Sequence, residues 1–151
     1  VVGLRFGTVC GFSPNFRTDL IINAMTLNAI NDGKITISNQ DSYRTILDIA
    51  DLCRGIYYLI TSSNNIKSKI YNMGSCSSKI GDIGKKIKQL TNCEIIYNNK
   101  FNSNYSFTID SELFENTFNF KFTGNIETIF KDIQDNLSNI EIFNKRVLHE
   151  A

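Results

Sequence analysis

The sequence has no tryptophan, one proline, one histidine and nine glycines in 151 residues. With His149 alone, and in the tail, no second imidazole is available to complete a zinc site. The four cysteines, Cys10, Cys53, Cys76 and Cys93, include no pair at C-x-x-C spacing, which excludes metal-ribbon and dithiol redox motifs. Their irregular spacing and the moderate chain length suit reduced thiols rather than a disulfide framework. Neither sign of charge dominates, with 16 basic and 15 acidic side chains and a net charge of +1. A nucleic-acid partner held by phosphate neutralisation needs a basic stripe that is missing here. No apolar run approaches the ~18 residues of a membrane span. No charged-then-apolar segment opens the chain as a secretory signal would. The reading is therefore of a cytoplasmic protein with no nucleic-acid and no membrane partner.

What is present supports a core. Hydrophobic residues make up 42% and aromatics 11%, enough for one packed domain and too much for a disordered chain. The 22 isoleucines and 19 asparagines suit an A/T-rich coding genome. Runs such as Ser62-Ser63-Asn64-Asn65 and Asn98-Asn99 then read as loops, because apolar periodicity resumes on both sides. The chain opens with Val1 and is strand-like at once. It is expected to be the C-terminal part of something longer.

The patterns alternate between strand and helix, which gives an α/β class. Val1 to Phe6 is nearly continuous apolar and predicts a strand buried on both faces of a parallel sheet. Gly7 to Arg17 is a loop. Leu20, Ala24, Leu27 and Ile30 fall on one helical face, which Gly33 stops. Ile35 to Ile37 and Tyr43 to Leu47 are extended. Asp48 caps a helix whose apolar face is Ile49, Leu52, Cys53, Ile56, Leu59 and Ile60, with Asp51 complementing the dipole. Lys69 to Met73 is a strand, and Ile80, Ile83, Ile87 and Leu90 make a helical stripe. Cys93 to Tyr97 and Tyr105 to Ile109 are short strands. Asp110 to Asn116 is a turn or two of helix, and Asn125 caps a last helix carrying Ile126, Ile129, Phe130, Ile133 and Leu137.

Four stretches carry a resemblance. Leu4 to Gly11 (LRFGTVCG) looks like "LRxxxVYG". Ser13 to Asn23 (SPNFRTDLIIN) looks like "SPRMRFDLVVN". Ile35 to Ile37, Tyr43-Arg44 and Ile49 to Ile56 look like parts of "ITVYGGDQWRPLIHVDDVARAI". Ile70 to Ser75 (IYNMGS) looks like "YNVGS". More weakly, Tyr105 with Ile109-Asp110 is similar to "YxVD", and Phe120 to Phe122 with the last helix to "GFKPxxTLEEGI". In this order the motifs resemble the C-terminal half of extended short-chain dehydrogenases/reductases, the NAD-dependent epimerase/dehydratase family.

The resemblance implies the C-terminal portion of an extended Rossmann-type NAD(P)-binding fold with its small substrate-binding subdomain. All 151 residues would be that fragment, with strand 1–6 belonging to the Rossmann sheet. The implied parent is a nucleotide-sugar epimerase or dehydratase of surface-polysaccharide synthesis, using NAD or NADP and homodimeric in full-length form. Two family signatures are missing. No Gly-rich strand-to-helix turn is present, Gly81-x-x-Gly84 falling inside an amphipathic helix, and no tyrosine has Lys four residues on. The alternative is a non-catalytic relative that binds a nucleotide-sugar or a protein. Without the preceding strands, Val1 to Phe6 would leave an apolar edge open to aggregation.

By the same resemblance Phe6 and Gly7 face the nicotinamide. Thr8 holds the nucleotide-sugar or merely caps its strand, and Leu20, Ile21 and Asn23 line the base. Arg44 grips the diphosphate, a role that a guanidinium fork fits; the alternative is a surface ion pair with Asp41 or Asp48. Arg5 is expected in a buried structural pair and Arg17 in the solvated loop. There are departures. The family's two glycines before the Arg are Asn39 and Gln40, its Pro after it is Thr45, its "HV" is Asp48-Ile49, and Ser103 stands where a second phosphate-holding Arg is expected.

Overall fold

The computed structural model describes residues 1–62, 69–98 and 105–140. In chain order the elements are β1 (Val2–Phe6), β2 (Thr8–Cys10), α1 (Ile21–Asp32), β3 (Lys34–Ile37), β4 (Tyr43–Asp48) and α2 (Ile49–Thr61). They continue with β5 (Lys69–Met73), β6 (Cys76–Lys79), α3 (Ile80–Thr91), β7 (Glu94–Tyr97), α4 (Glu112–Phe118) and α5 (Ile126–Asp135). Among the described residues three small sheets result. β1 pairs with β5 in parallel, β4 lies between parallel β2 and antiparallel β6, and β3 pairs with β7 in parallel. Parallel pairs separated by helices are the α/β arrangement that the alternating patterns predict.

Among the described residues two hydrophobic clusters form. The larger joins Ile22, Met25 and Ala29 of α1 to Ile35, Ile37, Ile83, Ile87, Ile129 and Ile133. The smaller is aromatic, with Tyr71, Phe114, Phe118 and Phe120 packed around Leu47 and Met73. The helix ends follow their sequence. Gly33 closes α1 in the left-handed conformation, with φ 65. The Asp48 carboxylate accepts the Ala50 N–H at 2.9 Å to start α2. Asn125 and Thr128 form a reciprocal capping box on α5.

Several expectations are corrected. β1 is half-buried rather than buried on both faces, because its only described neighbour is β5. Arg5 is exposed, on the side of that edge strand away from the aromatic cluster. The most deeply covered residues of α1 are Ile22, Asn23, Met25, Thr26 and Ala29, while the expected Leu20, Leu27 and Ile30 are partly buried and pack against the margin of the same cluster. That helix lies against β3, α3 and α5 together, so three neighbours choose its inner face. Along α2, Cys53 and Ile60 are exposed and only Asp51 and Gly55 are buried. Leu90 is exposed at the end of α3. Strand β6 has no alternating apolar pattern and goes unanticipated. Residues 105–109 run beside β4 without forming a strand. Tyr43 N–H donates to Ser106 Oγ and Ile109 N–H to Thr45 Oγ1, so hydroxyls stand in for two carbonyls beside the one backbone bond from Phe107 N–H to the Tyr43 carbonyl. The expectations about Ser63-Asn64-Asn65, Asn99, Ser103 and His149 fall outside the described residues.

Candidate functional site

At the carboxyl end of β2 the chain turns at Gly11, with φ 124, a conformation that side-chain-bearing residues rarely adopt. Asn23 holds this turn. Its Oδ1 accepts the Gly11 N–H at 3.0 Å, and its Nδ2 donates to the carbonyls of Arg17 at 2.9 Å and Gly11 at 3.5 Å. The Phe12 N–H donates to Asp132 of α5 at 2.9 Å. The loop is thus fixed to two helices. Beside it lies a cavity of about 260 Å³, whose walls include Thr8, Cys10, Gly11, Arg17, Leu20 and Asn23. Leu20 is the N-cap of α1 and supplies no side-chain acceptor, and the first turn holds no acidic residue. The first turn of that helix therefore carries no acidic side chain to offset its positive partial charge. Burial raises the Cys10 thiol to about 11, so it stays protonated at neutral pH and is no thiolate nucleophile.

The expected site residues separate into groups. Thr8, Leu20 and Asn23 meet at this cavity, although the Asn23 amide is engaged by backbone and shapes the wall. Ile21 turns to the isoleucine cluster instead. Arg17 lines the cavity too, clamped through Nε and Nη2 by Asp19 at 3.0 and 2.6 Å. Phe6 is exposed at the end of β1. Gly7 is buried, its N–H donating to the Met73 carbonyl at 2.9 Å. A Cβ there would lie 2.7 Å from the Thr45 carbonyl oxygen, so packing demands glycine at that position.

Arg44 lies outside the cavity lining. It stands two residues before Ile46, which pairs with Thr8, hence roughly 7 Å further back along β4 and on the same strand face. Among the described residues it makes no ion pair. Asp41 pairs with Lys79 at 3.5 Å and Asp48 caps α2. The Arg44 Nη1 donates instead to the carbonyls of Tyr43, at 2.8 Å, and Tyr105. Its guanidinium carbon sits 4.8 Å from the Tyr105 ring centroid and 5.7 Å from that of Phe107.

A second hollow of about 290 Å³ includes Thr45, Ser77, Asp110, Ser111 and Glu115 in its walls. Thr45 Oγ1 and Ser77 Oγ are 2.7 Å apart within it. Sequence reasoning gave Asp51 only a dipole role, and the structure makes it a hub. The buried carboxylate accepts Ser75 Oγ–H at 2.6 Å and Gly124 N–H at 2.8 Å, takes the Thr123 N–H, and pairs with Arg54. Burial pushes its carboxyl up, but these donors outweigh burial and hold it below the usual range. Asp48 goes the other way. Burial, joined by the charge of Asp51, raises it despite the Ala50 N–H. A single acidic residue on a polar helix face gave no signal of such convergence, since the partners lie 24 and 73 residues away.

No family model matches the chain. Its fold, however, is shared with solved nucleotide-sugar enzymes. Over 92% of this chain it superposes on UDP-glucuronic acid 4-epimerase from Bacillus cereus, in complex with a fluorinated UDP-glucuronic acid and NAD, at TM-score 0.78 and 20% identity. dTDP-glucose 4,6-dehydratase from Bacillus anthracis, in complex with NAD, matches over 93% at TM-score 0.75 and 19% identity. ADP-L-glycero-D-manno-heptose-6-epimerase from Helicobacter pylori matches over 91% at TM-score 0.74 and 19% identity. The chain spans about 45% of the first two and 44% of the third. The architecture is therefore part of the extended Rossmann-type fold of NAD-dependent epimerases and dehydratases. No helix among the described residues is long and apolar enough to cross a membrane.

Proposed function

We propose that the chain is a member of the NAD-dependent epimerase/dehydratase family and forms the C-terminal, substrate-gripping half of an NAD(P)-dependent nucleotide-sugar epimerase or dehydratase. The observation that carries this reading is the pairing of a preformed cavity with a nearby cation. Thr8, Leu20 and Asn23 wall the cavity at the uncapped start of α1, and Arg44 has no carboxylate partner among the described residues. The cavity takes the nucleoside, the Thr8 hydroxyl supplies a hydrogen bond, and Arg44 holds the diphosphate. The fold neighbours support a nucleotide-sugar because they are enzymes of such substrates.

NAD or NADP, when bound, supplies transient hydride transfer at the sugar. The exposed ring of Phe6 at the carboxyl end of β1 fits a place beside it, and Gly7 fits by its compactness. In this reading β1 continues the sheet of a dinucleotide-binding half, and the full-length protein is a cytoplasmic homodimer serving surface-polysaccharide synthesis. A second reading, a non-catalytic nucleotide-sugar or protein binder, is favoured by Ser103 standing where the family resemblance expects a second phosphate-holding Arg.

Calorimetric titration with UDP-glucuronic acid tests the site. Arg44→Ala is expected to weaken binding about tenfold, the lower end of what a charged hydrogen bond contributes. Unchanged affinity would remove Arg44 from the diphosphate site.

A further inference from the structure

The Arg44 guanidinium is held in a definite way. Segment 105–109 is laid along β4 by three hydrogen bonds, from Tyr43 N–H to Ser106 Oγ at 2.8 Å, from Phe107 N–H to the Tyr43 carbonyl at 3.2 Å and from Ile109 N–H to Thr45 Oγ1 at 2.8 Å. This places the Tyr105 and Phe107 rings, 5.3 Å apart and tilted by 48°, against the guanidinium. Among the described residues only Nη1 is engaged, by the Tyr43 and Tyr105 carbonyls. We infer that Tyr105 and Phe107 form a shelf that presents the remaining Nε and Nη2 edge of Arg44 to a diphosphate, making these two aromatics positioning residues of the nucleotide site. The inference rests on the diphosphate role proposed for Arg44.

The physical argument is one of preorganisation. A free arginine loses several rotatable bonds on gripping a phosphate, whereas one already stacked and tethered has little left to lose. A guanidinium lying on aromatic faces keeps its in-plane donors available, because the ring contact uses its flat face. A carboxylate partner would instead occupy the donor edge that a phosphate needs.

A double-mutant cycle with UDP as the probe and uridine as the control tests this. Arg44→Ala is expected to cost about tenfold in UDP affinity and Tyr105→Ala about threefold or more, with the double variant no weaker than Arg44→Ala alone. Tyr105→Phe should retain binding within about twofold, since the ring remains. Phe107→Leu should fall between Tyr105→Phe and Tyr105→Ala. Uridine affinity should not change in any variant. If Tyr105→Ala and Arg44→Ala add independently, or Tyr105→Ala binds UDP normally, the shelf is wrong and the nucleotide site stands. If Arg44→Ala leaves UDP binding unchanged, or the protein binds no UDP, the underlying reading fails with it.

Discussion

The isoleucine cluster and the aromatic cluster are built to different degrees of closure. Around the first, α1, α3 and α5 pack on one another and α1 and α3 on β3, and Ile22, Ile83, Ile129 and Ile133 have no accessible surface. Around the second, the centre is equally sealed at Tyr71 and Phe114, but Phe6, Ile60, Ile70 and Leu113 stand exposed. Here β1 has one described neighbour and α2 buries little. The first region is the more closed, although Leu90 of α3 and Ile96 and Tyr97 of β7 stand exposed at its margin, and the second leaves more of its large apolar side chains open. Large exposed apolar patches mark interaction surfaces or aggregation hazards, which is what the proposed dinucleotide-binding half would cover.

That contrast can be broken at either end. Ile83→Ala in the closed region should produce the largest loss of stability, about 4 kcal/mol, because it opens a cavity with no side free to collapse; chemical denaturation measures it. Asp51 sits where α2 meets the 123–124 loop. Asp51→Ala strands the Ser75 hydroxyl and two backbone N–H groups and should cost about 3 kcal/mol. Because the folded carboxyl lies below its unfolded value of about 3.9, its contribution is present above that pH and is lost as pH falls through the folded value. Melting temperatures followed from pH 6 to pH 2 should therefore drop less for Asp51→Ala than for the wild type. Ile60→Ser in the open region should change stability by less than about 0.5 kcal/mol. Its effect should instead be less self-association, read by size-exclusion chromatography; a destabilisation like that of Ile83→Ala would mean the α2 face is covered after all.

Much of this was legible in the sequence, and the losses have a common cause. The caps at Asp48, Gly33 and Asn125 are local signals and appear where their residues predict. The alternation of strand and helix gave the class. Burial of whole faces was less legible: α1 covers a wider stripe than the expected one because three neighbours pack on it, and α2 leaves Cys53 and Ile60 of its expected face exposed. The cavity was half visible. Thr8, Leu20 and Asn23 came from motif resemblance, yet the work of Asn23 as a staple for Gly11 depends on a contact across 12 residues. Arg44 was visible as a charge, but the rings that hold it lie 61 and 63 positions further on, beyond any local pattern. The Asp51 hub was invisible for the same reason.

Two hollows lie beside β4, and the proposed reading seats the nucleoside in the one lined by Thr8, Leu20 and Asn23. Backbone NMR of the protein titrated with UDP discriminates between them directly. The expected result is saturable shifts at the amides of Thr8, Gly11, Leu20 and Asn23, together with the side-chain Nε–H of Arg44. Shifts confined to Thr45, Ser77 and Ser111, or none at all at millimolar UDP, would contradict the assignment of this chain as a nucleotide-sugar gripping half.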